Sequence, residues 1–348
     1  MSEVVSFTRE GEIGVITVAN PPVNALSQPV RAGLKAAVET GLADAAVQAM
    51  VLICDGATFI AGADIREFGA PLAEPSLVPV IDAMEGAAKP IVAAIHGTAL
   101  GGGLEVALGC HYRVAVPSAR VGLPEVNLGL LPGAGGTQRL PRLVGAETAL
   151  ELMVQGSHVP AAQARKLGIL DELVEGDLKA GALAFARRVL AENRGVKRAS
   201  ERPVAPVAAD FFAKYEAGIA RRLRGFKAPF HIIKAVEAAA TLPFAEGMKR
   251  EAQLFQELMS SSESRAQRHV FFSEREVAKV PGLPKDVAQR EIKSAAVIGA
   301  GTMGGGIAMN FANAGIPVTL LELTREALDR GLAVVRKNYE ATASKGRL

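Results

Sequence analysis

Three consecutive glycines, Gly101, Gly102 and Gly103, lead from an apolar run at 91–95 into Leu104-Glu105-Val106-Ala107-Leu108. The run is rich in β-branched residues and reads as a buried strand; the segment after the glycines reads as the first turns of a buried helix. A glycine turn at a helix start presents backbone N–H groups that have no partner inside the helix, a natural seat for negative charge. Glu105 lies one turn into that helix, and Glu125 follows in Leu123-Pro124-Glu125-Val126, again between apolar neighbours. Two carboxylates in apolar settings beside a backbone anion site suit acid–base chemistry next to a developing negative charge. Taken singly, each has a plainer reading: Glu105 as a helix-start charge, Glu125 as a turn residue after proline.

A second constellation lies near the other end. Residues 294–298 (SAAVI) read as a strand running into Gly299-Ala300-Gly301-Thr302-Met303-Gly304, with a helix expected from Gly305 to Ala314. A further strand at 318–321 ends at Glu322. A G-x-G-x-x-G between strand and helix, with an acid about 20 residues on, is the dinucleotide fingerprint. Gly299, Gly301 and Gly304 would let the pyrophosphate approach, Glu322 would accept from the ribose hydroxyls, and an acid there favours NAD over NADP.

Other chemistries find little support. His111, His158, His231 and His269 show no metal-ligand spacing, and His96 reads as a structural histidine at a strand end. No serine or cysteine stands in a nucleophile elbow. With a net charge of +3 over 348 residues the chain is too weakly basic to argue for nucleic acid. The two cysteines, Cys54 and Cys110, sit in apolar segments and read as buried reduced thiols. The opening MSEVVSFTREGEIG has acids and no apolar core, so it is not a secretory signal, and no apolar run reaches membrane-spanning length uninterrupted.

The elements that must position these groups follow from periodicity. Strands are expected at 12–19 and 49–54, helices at 28–43, 64–68, 80–87, 138–144, 147–155, 161–167 and 178–191, with glycine stops at 145, 156 and 168. This alternation gives an α/β or layered ββα architecture. Residues 192–206, basic and proline-bearing, read as a solvated linker. Helices follow at 210–223 and 229–240, and one long helix at 244–273. A last helix is expected at 325–342. The domain limits expected are 1–191, 192–290 as linker and helices, and 291–348 as the beginning of a dinucleotide-binding domain. So short a dinucleotide unit would leave an unpaired strand edge, and weak or no NAD affinity and no dehydrogenase activity are expected of it.

ALGGGLEVALGC, followed by GLPEVNLGLLPGAGGTQRLPRLVG and preceded by FIAGADIREF, resembles the signatures of the crotonase (enoyl-CoA hydratase/isomerase) family. The resemblance covers roughly residues 1–190, and three separated motifs agree in order. The helical region and the fingerprint after it resemble multifunctional fatty-acid β-oxidation enzymes, in which a hydratase/isomerase half is fused to an NAD-dependent 3-hydroxyacyl-CoA dehydrogenase.

That resemblance implies a spiral of ββα turns, then a helical linker and a truncated Rossmann-like βαβ unit. It implies an acyl-CoA substrate, no cofactor for hydration, and NAD for the dehydrogenase part. Glu105 and Glu125 would be the catalytic acids, and the N–H groups of Ala63 and Gly102 the oxyanion hole. Gly62, Asp64, Arg66 and Gly133 would meet the substrate; the glycines at 133–136 either close over the acyl chain or form a plain turn. Glu105 would deprotonate the attacking water while Glu125, protonated, delivers a proton to C2. With water excluded, Glu125 would move a proton between C2 and C4. A homo-oligomer or a β-oxidation thiolase is the implied partner; the compartment is cytoplasmic in a bacterium and peroxisomal in a eukaryote. The alternative from another class is a non-catalytic acyl-CoA-binding scaffold of a β-oxidation assembly.

Overall fold

The computed structural model describes residues 4–64, 67, 73–277, 279–284, 287, 288, 290–344 and 346. The chain divides into two units, Met1–Ala278 and Lys279–Leu348.

The first unit opens with a hairpin, of which the sequence predicts only the second strand. β1 (Val5–Glu10) pairs antiparallel with β2 (Ile13–Val18). α1 (Gln28–Ala43) then returns the chain to β3 (Ala49–Cys54), parallel to β2. Lys89 closes the end of α1, its Nζ donating to the carbonyls of Gly41, Leu42 and Asp44. α2 (Leu77–Glu85) starts three residues earlier than expected. β4 (Ile91–Ile95), β5 (Thr98–Leu100), α3 (Gly102–Gly109), β6 (Tyr112–Ala115) and β7 (Arg120–Gly122) follow. A short 3-10 turn at Glu125–Leu128 precedes α4 (Gly136–Val144) and α5 (Ala146–Gln155). β8 (Val159–Pro160), α6 (Ala161–Lys166), β9 (Glu172–Leu173) and α7 (Leu178–Ala191) complete this part.

The strands form a six-stranded sheet ordered β1-β2-β3-β4-β6-β9 and a smaller one ordered β5-β7-β8. Each turn of the chain lays one strand in the large sheet, one strand or single bridge beside the small sheet, and then a helix. Thus β4 is followed by β5 and α3, and β6 by β7 and α4. In the earlier turns, single bridges join Leu26 to Ala63 and Ile60 to Ala99. This is the crotonase-type ββα spiral.

The central strands read as unbroken apolar runs because both faces of the large sheet are covered. Ile16, Val18, Met50, Leu52, Ala93 and Ile95 point into the main core. The alternate residues Ile13, Val15, Ala49, Val51, Val92 and Ala94 meet Ala182, Leu183, Ala186 and Val189 of α7 on the other face. That period of two makes α7 the cover of the sheet's second face.

Beyond α7, α8 (Phe211–Ala220), α9 (Ala228–Thr241), α10 (Phe244–Met259) and α11 (Ser262–Val277) confirm an all-helical stretch. Ile232, Ile233, Val236, Leu254 and Leu258 join the same main core as the spiral. The single helix expected at 244–273 is two helices. Ser261 interrupts it: its hydroxyl donates to Leu258 O and accepts from the Ser264 N–H, so the side chain competes with the helical ladder. The helix expected at 64–68 falls largely outside the described residues.

The second unit holds β10 (Ala295–Ile298), α12 (Thr302–Asn313), β11 (Val318–Leu321) and α13 (Arg325–Ala343). β10 and β11 pair in parallel, in the right order for a βαβ unit. No described helix is long and apolar enough to cross a membrane.

Candidate active site

α3 is buried along its whole length, so it behaves as a core helix, and only its polar residue needs explaining. It starts where the chain reverses at Gly101, whose φ of +53° excludes most side chains. Gly103 is the point of closest approach: a β-carbon there would stand 2.1 Å from the Ile60 carbonyl oxygen. That contact seats the helix start against the strand-like segment around 60–63. A β-carbon at 102 would be 3.5 Å from the Ala63 amide nitrogen. Helix α3 begins at Gly102, so its N–H is among those left without an intrahelical partner. The α-carbon of Gly102 therefore lies beside the Ala63 amide, the other group expected in the oxyanion hole.

Gly62 and Asp64 flank Ala63. Gly62 O accepts from the Leu26 N–H, and Asp64 is buried. Arg66 lies outside the described residues. Gly133 is brought beneath an aromatic ring of α10; a β-carbon there would fall 2.4 Å from Phe255.

Glu105 is only 3% exposed. Its Oε1 accepts from the N–H groups of Ala134 and Gly136, both at 2.8 Å. Burial pushes the carboxyl above its ordinary range, while those two N–H donors and the Arg139 guanidinium pull it back. Arg139, fully buried, pairs with Glu85 and reaches Asp82.

Glu125 opens the 3-10 turn. Its Oε1 lies over the glycine turn, 3.0 Å from where a β-carbon of Gly101 would be. Its Oε2 is sealed from solvent and has no hydrogen-bond partner among the described residues. Burial drives this carboxyl well above the usual range, and the charges of Glu105 and Glu251 drive it further. Burial raises both acids, but to different degrees. Glu105 has donors that favour its charge, and Glu125 has mainly burial and like charge that oppose it.

Sequence reasoning missed Glu251, which is 1% exposed on α10. Its oxygens accept from the N–H groups of Gly135 and Thr137 and from the Thr137 hydroxyl. Burial first, then the Glu105 charge, raise it to about 8, against the pull of Thr137, Gly135 and Arg139. The signal was present: Gly247, Glu251, Leu254 and Leu258 form one buried stripe at helical spacing, and a carboxylate in such a stripe needs a partner.

The histidines behave structurally. His111, buried, accepts at Nδ1 from the Ile91 N–H and is pushed down to about 4, chiefly by burial. The ring of His96 meets Gly56 O at 3.0 Å. No cluster of three or more potential metal ligands occurs among the described residues.

In the second unit the glycine turn packs closely on the helix that follows it. A β-carbon at 304 would stand 1.8 Å from Gly299 O, so α12 packs tightly on the turn. Gly301 caps α12 with open space on its side-chain face. The helix begins at Thr302 rather than Gly305, which brings its free amides closer to the turn. Glu322, at the end of β11, accepts from the N–H groups of Ala300 and Leu323, and these hold its carboxyl below the ordinary range. These residues fit a dinucleotide.

The profile of the enoyl-CoA hydratase/isomerase family matches residues 8–231, and that of the 3-hydroxyacyl-CoA dehydrogenase NAD-binding domain matches 294–348. The peroxisomal bifunctional enzyme of Danio rerio is 45% identical over 340 residues, 96% of this chain and 47% of that protein. Its Homo sapiens counterpart is 39% identical over 350 residues, 98% of this chain and 48% of that protein. A peroxisomal fatty acid beta-oxidation multifunctional protein of Arabidopsis thaliana is 36% identical over 349 residues, 96% and 48%. The chain thus spans about half the length of these relatives. Among solved structures, carnitinyl-CoA hydratase from Mycobacterium avium superposes with a TM-score of 0.58 at 28% identity, covering 79% of this chain and 97% of that one.

Proposed function

Since the chain belongs to the enoyl-CoA hydratase/isomerase family, we propose that its first unit hydrates 2-enoyl-CoA thioesters to 3-hydroxyacyl-CoA in fatty-acid β-oxidation. The observation that carries this reading is the unequal pair Glu105 and Glu125 around the amides of Ala63 and Gly102.

Addition of water at C3 of a conjugated thioester moves negative charge to the thioester oxygen. The Ala63 and Gly102 N–H groups would receive that oxygen, and each such donor is typically worth about 100- to 1,000-fold in rate. Glu105, raised less than Glu125 because two N–H donors and Arg139 offset part of its burial, holds and deprotonates the water. Glu125, favoured as the neutral acid, delivers its proton to C2. The unpartnered Glu125 Oε2 supports this, because a buried acceptor with no donor is where a protonated acid can keep its hydrogen for substrate. Without water, Glu125 alone would carry a proton between C4 and C2, the isomerase reaction.

In the second unit Gly299, Gly301, Gly304 and the start of α12 would hold the pyrophosphate of NAD, with Glu322 released from Ala300 to take the ribose hydroxyls. Held there, NAD would supply the hydride acceptor of a dehydrogenase. The proposed division is chemistry by residues 1–191, helical support by 192–290 and dinucleotide contacts by 291–348. The peroxisomal names of the relatives support a peroxisomal setting if the chain is eukaryotic.

Mixing the chain with crotonyl-CoA in the absence of NAD tests the reading. Rapid loss of the conjugated-thioester absorbance, abolished in Glu125→Gln, is expected. Tight acyl-CoA binding with no absorbance loss would favour the scaffold alternative instead.

A further inference from the structure

The turn at 133–137 is clamped from two sides. Glu105 of α3 takes the amides of Ala134 and Gly136; Glu251 of α10 takes those of Gly135 and Thr137. Successive N–H groups therefore go alternately to two buried carboxylates from distant parts of the chain. Thr137 donates its hydroxyl to Glu251 and accepts from Gln138 Nε2, which also donates to Ala235 O of α9. Arg139 Nη1 donates to Ala134 O at 3.3 Å.

This arrangement controls what Glu105 can do. Besides the Arg139 guanidinium, its charge is favoured among the described residues by two N–H donors, both in the clamped turn and both on Oε1. Rotation of the turn would withdraw them, and a carboxylate that loses donors to its charged form becomes harder to ionise. The other oxygen, Oε2, accepts no hydrogen bond among the described residues and is left for a reactant. A buried carboxylate is a poor choice for packing alone, since an apolar side chain of similar volume avoids the desolvation.

We propose that Glu251 is a positioning residue for hydration: by holding the Gly135 and Thr137 amides it keeps the Ala134 and Gly136 amides on Glu105 Oε1. The inference rests on the hydratase reading. It makes α10, which the sequence offers only as a connecting helix, a working part of the site. Glutamine cannot take the place of Glu251 in either protonation state, because even the neutral acid's hydroxyl oxygen can accept from an amide, whereas the glutamine NH2 only donates.

The test is the pH profile of kcat/KM for crotonyl-CoA with the full chain, Glu251→Gln and Thr137→Val. The groups facing Glu251 are Glu105 from α3, Thr137 and Arg139 from α4, and, by charge, Glu125 from the 3-10 turn. Any charge on Glu251 opposes ionisation of Glu105, so deleting that charge could only lower the acid limb. Loss of donors to Glu105 raises it instead. In Glu251→Gln, kcat should fall about tenfold or more with KM within about threefold, and the acid limb should rise by about one pH unit. Thr137→Val should shift the limb in the same direction, and it decides the matter should Glu251→Gln fail to fold. A folded variant with kcat within about twofold and an unmoved limb would overturn the inference while leaving the hydratase reading intact. An inactive wild-type chain would overturn both.

Discussion

The Glu125 carboxyl rests on Gly101: Oε1 is 3.0 Å from the point a β-carbon at 101 would occupy. The glycine turn thus serves two ends. Its backbone starts the helix that carries Glu105, and its missing side chain leaves room for the second acid.

Gly101→Ala should therefore reduce activity more than stability. The residue's φ of +53° with ψ of −128° is a conformation that costs an L side chain about 1–3 kcal/mol, a melting shift of several degrees. The new methyl would also push Glu125 aside, and hydration should fall about 100-fold. Parallel melting and turnover measurements check this; loss of both in proportion would contradict it.

Glu105→Gln and Glu125→Gln should separate the two activities. Only hydration needs a base for water, so Glu105→Gln should lose hydration by about 1,000-fold and keep a larger share of 3-enoyl-CoA isomerisation. Glu125→Gln should lose both. Assays with 2-enoyl and 3-enoyl thioesters decide; equal losses in Glu105→Gln would refute the assignment.

Stability should fall as pH rises through neutrality. Glu251 titrates at about 8 in the fold, against an ordinary carboxyl range when unfolded, so the folded chain binds more protons between those values. Its contribution is complete below the unfolded value and is lost as pH rises to about 8. Glu105 and Glu125, both raised, act in the same sense. Urea midpoints from pH 5 to 9 should decline and then level, with a shallower decline in Glu251→Gln.

Gly304→Ala should disturb the second unit. Its β-carbon would meet Gly299 O at 1.8 Å, and backbone cannot yield as a side-chain tip does. A destabilisation of about 1–3 kcal/mol is expected, seen as faster hydrogen exchange in β10 and β11. Unchanged protection would show that α12 has room to shift.

Much of the fold is legible in the chain because local pattern and tertiary demand agree. Apolar runs such as 49–54 and 91–95 become central strands since both faces of the sheet are covered. Helix boundaries at 28–43 and 178–191 follow from periodicity. The misreadings have local causes. A strand as short as β8 or β9 is two residues of pairing, with no room for periodicity to show. The break at Ser261 depends on side-chain hydrogen bonds that compete with a helix the apolar stripe alone would continue.

By itself the sequence determined the pieces: the two acids in apolar settings, the glycine turn before α3, the dinucleotide fingerprint and the alternation of strand and helix. These are properties of neighbouring residues, and chain order carries them. Only the tertiary structure decided how the surroundings of the two acids differ. The donors to Glu105 come from Ala134 and Gly136, the isolation of Glu125 comes from its burial over Gly101, and the clamp on the turn comes from Glu251 on α10. Proton affinity depends on what surrounds a group in space, and here those surroundings come from parts of the chain far apart in sequence.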